Sequence, residues 1–292
     1  MRILVLGASG MLGHTLVHQL SSIFPDWKIY GTVRSESSYK FINEKISKNF
    51  ISGVNVENID SLLQVFYFIR PTIVINCIGL VKQLADSDDP LLALPINSIL
   101  PHRLAKLCQL TGSKFIHIST DCVFSGEKGA YLETDFSDAK DLYGKSKFLG
   151  EVNYPNAITL RTSIIGHELQ SKNGLVEWFL AQEKTCYGFT KAIFSGVPTI
   201  ILAEIIGKVV IPNLHKLNGL YQIAAEPITK FDLLNLIAQV YEKKIEIIPN
   251  GELEIDRSLD ATLFFNETGY ITPGWNNMIK KMHTFRIAKN NV

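Results

Sequence analysis

The chain has 292 residues, of which 46% are hydrophobic and 20% charged, with a formal net charge of +1. Such a length carries one large α/β domain or two lobes around a sizeable core. The near-neutral balance gives no electrostatic case for nucleic acid or an anionic membrane, and no apolar run is long enough to span a bilayer.

Residues 2–6 form a short, continuous apolar run, the pattern of a strand buried on both faces of a parallel sheet. The run is too short for a signal peptide and leads straight into Gly7-Ala8-Ser9-Gly10-Met11-Leu12-Gly13, after which residues 14–20 read as helical. Glycines at 7, 10 and 13 permit a tight turn and a close backbone approach to a pyrophosphate, with the helix N-terminus facing the phosphates. Lying between a strand and a helix, this turn nominates Gly7, Ser9, Gly10, Met11, Leu12 and Gly13 as cofactor-binding residues. The second strand, 28–33, is followed by Arg34, with no acid at positions 31–35. An acid there would hold the ribose hydroxyls of NAD, whereas an arginine accommodates a 2′-phosphate. NADPH is therefore the expected cofactor, and NADH stays admissible because Glu36 is close.

Residues 50–56 read as a third strand and 59–69 as a helix stopped by Pro71. Residues 72–79 are the fourth strand with its exit turn, which sets Cys77, Ile78 and Gly79 beside the cofactor. A long helical pattern covers 91–110, with Asn97 as an odd polar residue inside it. The fifth strand, 114–118, delivers Ser119-Thr120-Asp121-Cys122-Val123-Phe124 to the carboxyl edge of the sheet, where doubly wound sheets bind ligands. The next helix opens around Leu142-Tyr143-Gly144-Lys145-Ser146-Lys147. Tyr143 and Lys147 are one turn apart on the same face. An ammonium beside a phenol lowers its pKa from the usual ~10, which suits it to exchange a proton with a sugar or alcohol oxygen.

A sixth strand, 157–161, leads to Thr162-Ser163-Ile164-Ile165-Gly166. Further on, helices are expected at 175–182, 199–210 and 230–241, a strand at 219–224, and an irregular pocket-lining stretch at 187–198. The remainder, through Trp275 and a helical 277–282, reads as a small mixed lobe. The fold class is thus α/β, a doubly wound parallel Rossmann sheet with a smaller mixed C-terminal substrate-binding lobe. Residues 1–165 and 199–226 are assigned to the cofactor domain and 166–198 and 227–292 to the substrate lobe, with the active site between them.

The order of the motifs carries a closer likeness. Ser119-Thr120-Asp121-Cys122-Val123-Phe124-Ser125-Gly126, Tyr131-Leu132-Glu133-Thr134-Asp135, Tyr143-Gly144-Lys145-Ser146-Lys147 with Gly150-Glu151, Arg161-Thr162-Ser163 and Trp275 together resemble the extended short-chain dehydrogenase/reductase family. Within it they resemble the dTDP-4-dehydrorhamnose reductase branch of nucleotide-sugar reductases, specifically over residues 1–166 and loosely beyond. The resemblance implies an NAD(P)-dependent oxidoreductase acting on a nucleotide-linked 4-keto-6-deoxy sugar, in surface polysaccharide precursor synthesis. Thr120 would hydrogen-bond the substrate carbonyl, Tyr143 would give its proton to the C4 oxygen, and Lys147 would bind the nicotinamide ribose. Hydride would come from C4 of the nicotinamide. Ser119, Tyr143 and Lys147 are accordingly expected at the cofactor, and Thr120, Asp121, Val123, Phe124 and Tyr143 at the substrate.

His167, just after Gly166, and Lys191 are further candidates for substrate contact, and Lys191, Arg257 and Lys82 for a substrate diphosphate. His117 reads as a core-strand residue. Cys122 stands where the branch usually has tyrosine, and with no histidine nearby in sequence it reads as a small buried residue. Asn55 replaces an aspartate often found near the adenine. No carboxylate cluster matches the magnesium associated with some relatives, so no metal is expected. The four scattered cysteines, Cys77, Cys108, Cys122 and Cys186, form neither a zinc pattern nor a disulfide framework and read as reduced thiols of a cytoplasmic protein. The partners expected are a nucleotide-sugar substrate and, for assembly, a second copy in a homodimer, with no nucleic acid or membrane. A sugar epimerase on the same fold, and a regulatory subunit like that of methionine adenosyltransferase, are the competing readings.

Overall fold

The apolar run at the N-terminus forms β1 (Arg2–Leu6), with Ile3 to Leu6 fully buried. The computed structural model describes residues 1–41, 48–80, 88–169 and 171–290. Its other main strands are β2 (Lys28–Thr32), β3 (Phe50–Ile51), β4 (Ile73–Asn76), β5 (Lys114–Thr120) and β6 (Ala157–Thr162). Later in the chain come β7 (Ile164–Ile165), β8 (Thr185–Phe194), β9 (Val197–Pro198), β10 (Gly219–Gln222), β11 (Ile228–Thr229) and β12 (Glu246–Asp256). Seven of these make one parallel sheet in the order β10-β6-β5-β4-β1-β2-β3. The chain winds outward one way through β2 and β3, then returns past β1 to β4. The crevice above the β1–β4 junction is therefore the topological switch point, where such sheets bind ligands.

Period-two alternation along β1 fills both layers. Ile3 and Val5 join Leu16 and Leu20 of α1 (Met11–Ile23) and Ile201 of the helix Thr199–Ile205. Leu4 and Leu6 join Leu62 and Phe66 of α2 (Ile59–Ile69) and Leu104 on the opposite face. Leu104 belongs to α3, a long rod made of Pro90–Ala93, a widened π-helical stretch Leu94–Ile99 and Leu100–Thr111. Pro95 and Pro101 each withhold an amide donor from this rod. The odd polar residue of the rod, Asn97, is buried: its amide oxygen accepts from the Leu80 N–H at 2.9 Å, and its nitrogen donates to Ser146 Oγ at 3.1 Å.

Three differences from the sequence expectation stand out. Residues 187–198 were expected to be irregular, but most of them belong to β8, the centre of a second sheet ordered β11-β8-β12. Its inward residues include Cys186, Gly188 and Ala192, too small to register as an apolar alternation. β12 was missed because it is polar and largely exposed. β3 stops after two residues, and Gly53, at φ +73°, turns the chain away just beyond it.

The Gly150-Glu151 pair follows α4 (Leu142–Leu149) and ties it to the sheet. The Glu151 carboxylate accepts from Arg161 Nε and Nη2 of β6, both at 2.7 Å, and from Ser119 Oγ of β5 at 2.7 Å. Both charged side chains are nearly buried. Removing one member of such a pair leaves an uncompensated charge in the interior. Glu151→Ala is expected to lower the unfolding free energy by about 3 kcal/mol, read as a fall in the denaturant midpoint with an unchanged slope.

Candidate active site

The ends of β1, β2, β4 and β5 and the starts of α1 and α4 lie along the carboxyl edge of the sheet around the switch point. The turn after β1 has Gly7 at φ +81°, a region that favours glycine. A Cβ on Gly13 would lie 2.1 Å from the Gly7 carbonyl oxygen, so glycine there lets α1 press against the turn. The N-terminus of α1 has no side-chain cap, and Gly10 is exposed. Uncapped amides at the start of a 13-residue helix, in a bend that only glycines allow, fit the pyrophosphate of a dinucleotide. Ser9 and Met11 are half-buried at its rim, and Leu12 packs inward.

At the end of β2, Arg34, Ser35 and Ser37 are exposed, and Glu36 accepts a hydrogen bond from Ser52 at 3.3 Å. At the end of β4, a side chain on Gly79 would come within 3.8 Å of Lys147 Nζ, which sets the Cys77–Gly79 turn beside that amine. Burial pushes the Cys77 thiol up to about 12, leaving it a protonated packing residue.

β5 ends in a tight turn at Thr120. The Thr120 hydroxyl donates to Asp121 Oδ1 at 3.1 Å and accepts from the Cys122 N–H at 3.1 Å. Tyr143, half-buried in the first turn of α4, is hydrogen-bonded to Thr120. Asp121 is buried, which raises its carboxyl above the ordinary range, while Arg257 and hydrogen bonds from Thr120, Cys122 and Ser163 pull it back.

Lys147, one turn along α4, is 5% exposed and donates to the Ile118 carbonyl at 2.8 Å. Burial lowers its ammonium to about 8, against Glu151 and Cys77, which raise it. The phenol of Tyr143 does not follow the sequence expectation. Burial raises it above 10, as do Cys122 and Asp121, while the Thr120 hydrogen bond lowers it. Lys147 exerts no resolved pull on the phenol, because its Nζ is directed to the strand carbonyl.

Several candidates lie elsewhere. Val123 and Phe124 are fully buried and pack with Tyr131 and Leu259, so their side chains cannot meet a substrate. Both ring nitrogens of His167 are engaged, by Glu177 and by the Tyr241 hydroxyl. Lys191 is exposed on β8 and pairs with Glu254 across the strands at 3.0 Å. The Ser119 hydroxyl donates to Glu151 at 2.7 Å. His117 is fully buried, as expected of the core strand. Lys82 lies outside the described residues. Arg257, expected at a diphosphate, instead donates from Nε to the Phe124 carbonyl at 2.8 Å. Trp275 is also structural, its Nε1 donating to the Glu226 carbonyl at 2.7 Å. Ser163 was quoted only as part of a motif, yet it reaches Asp121; the turn that brings it there is not visible in local spacing.

Comparison with known proteins decides the family. The family described as RmlD substrate binding domain matches residues 1–260. The chain belongs to it. The protein is 26% identical over 261 residues to a dTDP-4-dehydrorhamnose reductase of Aggregatibacter actinomycetemcomitans, covering 85% of this chain and 82% of that one. It is 26% identical over 173 residues to methionine adenosyltransferase 2 subunit beta of Bos taurus. That match covers 58% of this chain, and the chain spans only about half (48%) of that relative's length. A dTDP-4-dehydrorhamnose reductase of Bacillus anthracis str. Ames, solved in complex with NADP, shares the fold with a TM-score of 0.77 at 24% identity, over 97% of this chain and 99% of that one.

The depressed ammonium of Lys147 gives a pH test. Its charged form exists below about 8 and is lost as the pH rises through that value. Affinity for NADP, followed by tryptophan fluorescence, is expected to fall above pH about 8. In Lys147→Met it should be weak and level across the same range.

Proposed function

We propose that the protein is an NAD(P)-dependent oxidoreductase of the short-chain dehydrogenase/reductase type. It reduces a nucleotide-linked 4-keto-6-deoxy sugar, prefers NADPH, and serves surface polysaccharide precursor synthesis. The observation that carries this reading is the contact of Tyr143 with Thr120 at the switch point, with Lys147 one turn away and the uncapped glycine turn alongside. The likeness to the Aggregatibacter reductase over most of both chains supports the substrate class.

In this reading the glycine turn and the N-terminus of α1 hold the pyrophosphate, and Lys147 holds the nicotinamide ribose. The nicotinamide, when bound, supplies the hydride. Tyr143 gives its proton to the C4 oxygen as charge develops there. The Thr120 turn fixes the phenol opposite the carbonyl. Arg34, together with Ser35 and Ser37, receives the 2′-phosphate of NADPH, with the exposed Glu36 accepting from Ser52 beside them. The nucleotide-binding half is residues 1–165 with 199–226, and the substrate half 166–198 with 227–292. The protein works in the cytoplasm, as a homodimer; among the described residues no helix is long and apolar enough to cross a membrane.

NADPH oxidation against a panel of dTDP-, UDP- and GDP-linked 4-keto-6-deoxy sugars tests the reaction. One member should be reduced, and Tyr143→Phe should lower its turnover by about 100-fold or more while cofactor affinity holds. Silence across the panel with a tightly retained nicotinamide would point instead to an epimerase. Silence with a stoichiometric methionine adenosyltransferase captured would point to the regulatory reading that the Bos taurus match raises. For the cofactor, Arg34→Ala should cut the preference for NADPH over NADH by about tenfold, the equivalent of one lost charged contact. An unchanged ratio of kcat/KM values would remove Arg34 from the site.

A further inference from the structure

We propose that His117, in the middle of β5, is a positioning residue for the cofactor: the lone pair on its Nδ1 holds the Asn76 amide in the one orientation that pins the turn after β4. The latch itself stands on hydrogen-bond contacts, and its effect on NADPH rests on the cofactor site proposed above.

Asn76, the last residue of β4, and His117 are register partners on neighbouring strands, and both are fully buried. Asn76 Oδ1 accepts from the Ile78 N–H at 3.1 Å, and Asn76 Nδ2 lies 3.2 Å from His117 Nδ1. A backbone N–H only donates, so the amide oxygen faces Ile78 and the NH2 group faces His117. Nδ1 is then the acceptor, which puts the imidazole proton on Nε2. Nε2 makes no hydrogen bond among the described residues. Burying an unpaired N–H is costly, and an apolar side chain at this place in the strand would avoid the cost. The imidazole therefore acts through Nδ1. Burial, reinforced by Lys147 and His102, holds the ring well below its usual value, so at neutral pH it carries no second proton to turn Nδ1 into a donor.

The turn that Asn76 pins is shared by two parts of the cofactor site. A Cβ on Gly7 would lie 2.9 Å from Ile78 Cγ1 and 3.3 Å from both the Ile78 nitrogen and the Cys77 carbonyl carbon, so this turn sits directly against the glycine turn after β1. One residue further, the Gly79 position lies beside Lys147 Nζ.

The far end of the turn is held separately. Asn97 Oδ1 accepts from the Leu80 N–H at 2.9 Å, and Asn97 Nδ2 donates to the Leu80 carbonyl at 3.3 Å. The near end depends on Asn76, and Asn76 on His117. Without an acceptor at Nδ1 the buried Asn76 NH2 group loses this partner, and the amide can turn to seek another. The Ile78 N–H is then released, and the turn loosens between the glycine turn and Lys147.

The first arm of the test needs neither cofactor nor substrate. Long-range proton–nitrogen NMR correlations of the wild-type imidazole should show Nε2 protonated and Nδ1 bare; a proton on Nδ1 overturns the proposal without any variant. Amide exchange at Ile78 is then compared in the wild-type protein, His117→Leu, which has no acceptor, and His117→Asn, whose side-chain oxygen can stand where Nδ1 does. Exchange should be about tenfold faster in His117→Leu and close to wild type in His117→Asn, with Leu80, held by Asn97, unchanged in both. Equal exchange at Ile78 in all three proteins overturns the latch. In the second arm NADPH affinity is followed by tryptophan fluorescence. His117→Leu should bind about tenfold more weakly, and His117→Asn should regain most of the affinity. A folded His117→Leu that binds NADPH as tightly as wild type overturns the positioning role, as does an equal loss in both variants, which a merely structural defect would produce. If the wild-type protein binds no NADPH, the proposed cofactor falls, while exchange at Ile78 still decides the latch.

Discussion

The close approach of α4 to the end of β5 governs the site. At position 144 there is no room for a side chain: a Cβ would lie 2.2 Å from the Cys122 carbonyl oxygen and 2.6 Å from the Ala139 side chain. Glycine lets the first turn of the helix rest on the strand end, which brings Tyr143 to Thr120. The position is locked at both ends of the helix. At its start the Asp141 carboxylate accepts from the Gly144 N–H at 2.7 Å, and just past its end Glu151 is clamped by Arg161. Lys147 then has to cross the strand end under the protein surface, where the Ile118 carbonyl receives it. Burial follows from this packing, and the shifted ionisations follow from burial. Desolvation disfavours the charged form of both groups, so the ammonium falls to about 8 while the phenol rises.

The parallel sheet was legible because a strand covered on both faces must be apolar throughout, as residues 3–6 and 73–75 are. α2 was legible from its apolar pattern and the stop at Pro71; the structure adds the Asn58 cap, which accepts from the Asp60 N–H, and the left-handed Arg70 at its end. The second sheet hid because hydropathy sees neither the small inward residues of β8 nor the exposed, polar β12. The site divides in the same way. Tyr143 and Lys147 are neighbours by helical spacing, and Thr120 lies where any parallel strand delivers its last side chain, so local rules find all three. His167 was nominated by its place after Gly166 and Lys191 by its charge, as a match for a diphosphate. Their partners, Tyr241 and Glu254, lie 74 and 63 residues further on, which no local pattern reveals. Val123 and Phe124 continue a motif whose turn points them into the core instead of the crevice.

The electrostatic state of the site bears on the direction of the chemistry. A general acid must enter the reaction carrying its proton, whereas the oxidative direction, and the oxidative half of an epimerase cycle, needs the phenolate. The Tyr143 phenol lies above 10, so it is protonated throughout the neutral range. The Lys147 ammonium, at about 8, is still charged there and lies one helical turn away. Lys147 leaves this balance unchanged, because its Nζ is turned to the Ile118 carbonyl and not to the phenol. Burial therefore keeps the proton on Tyr143 until an acceptor oxygen is placed against it, which is the state that the reductive direction of the proposed reaction requires.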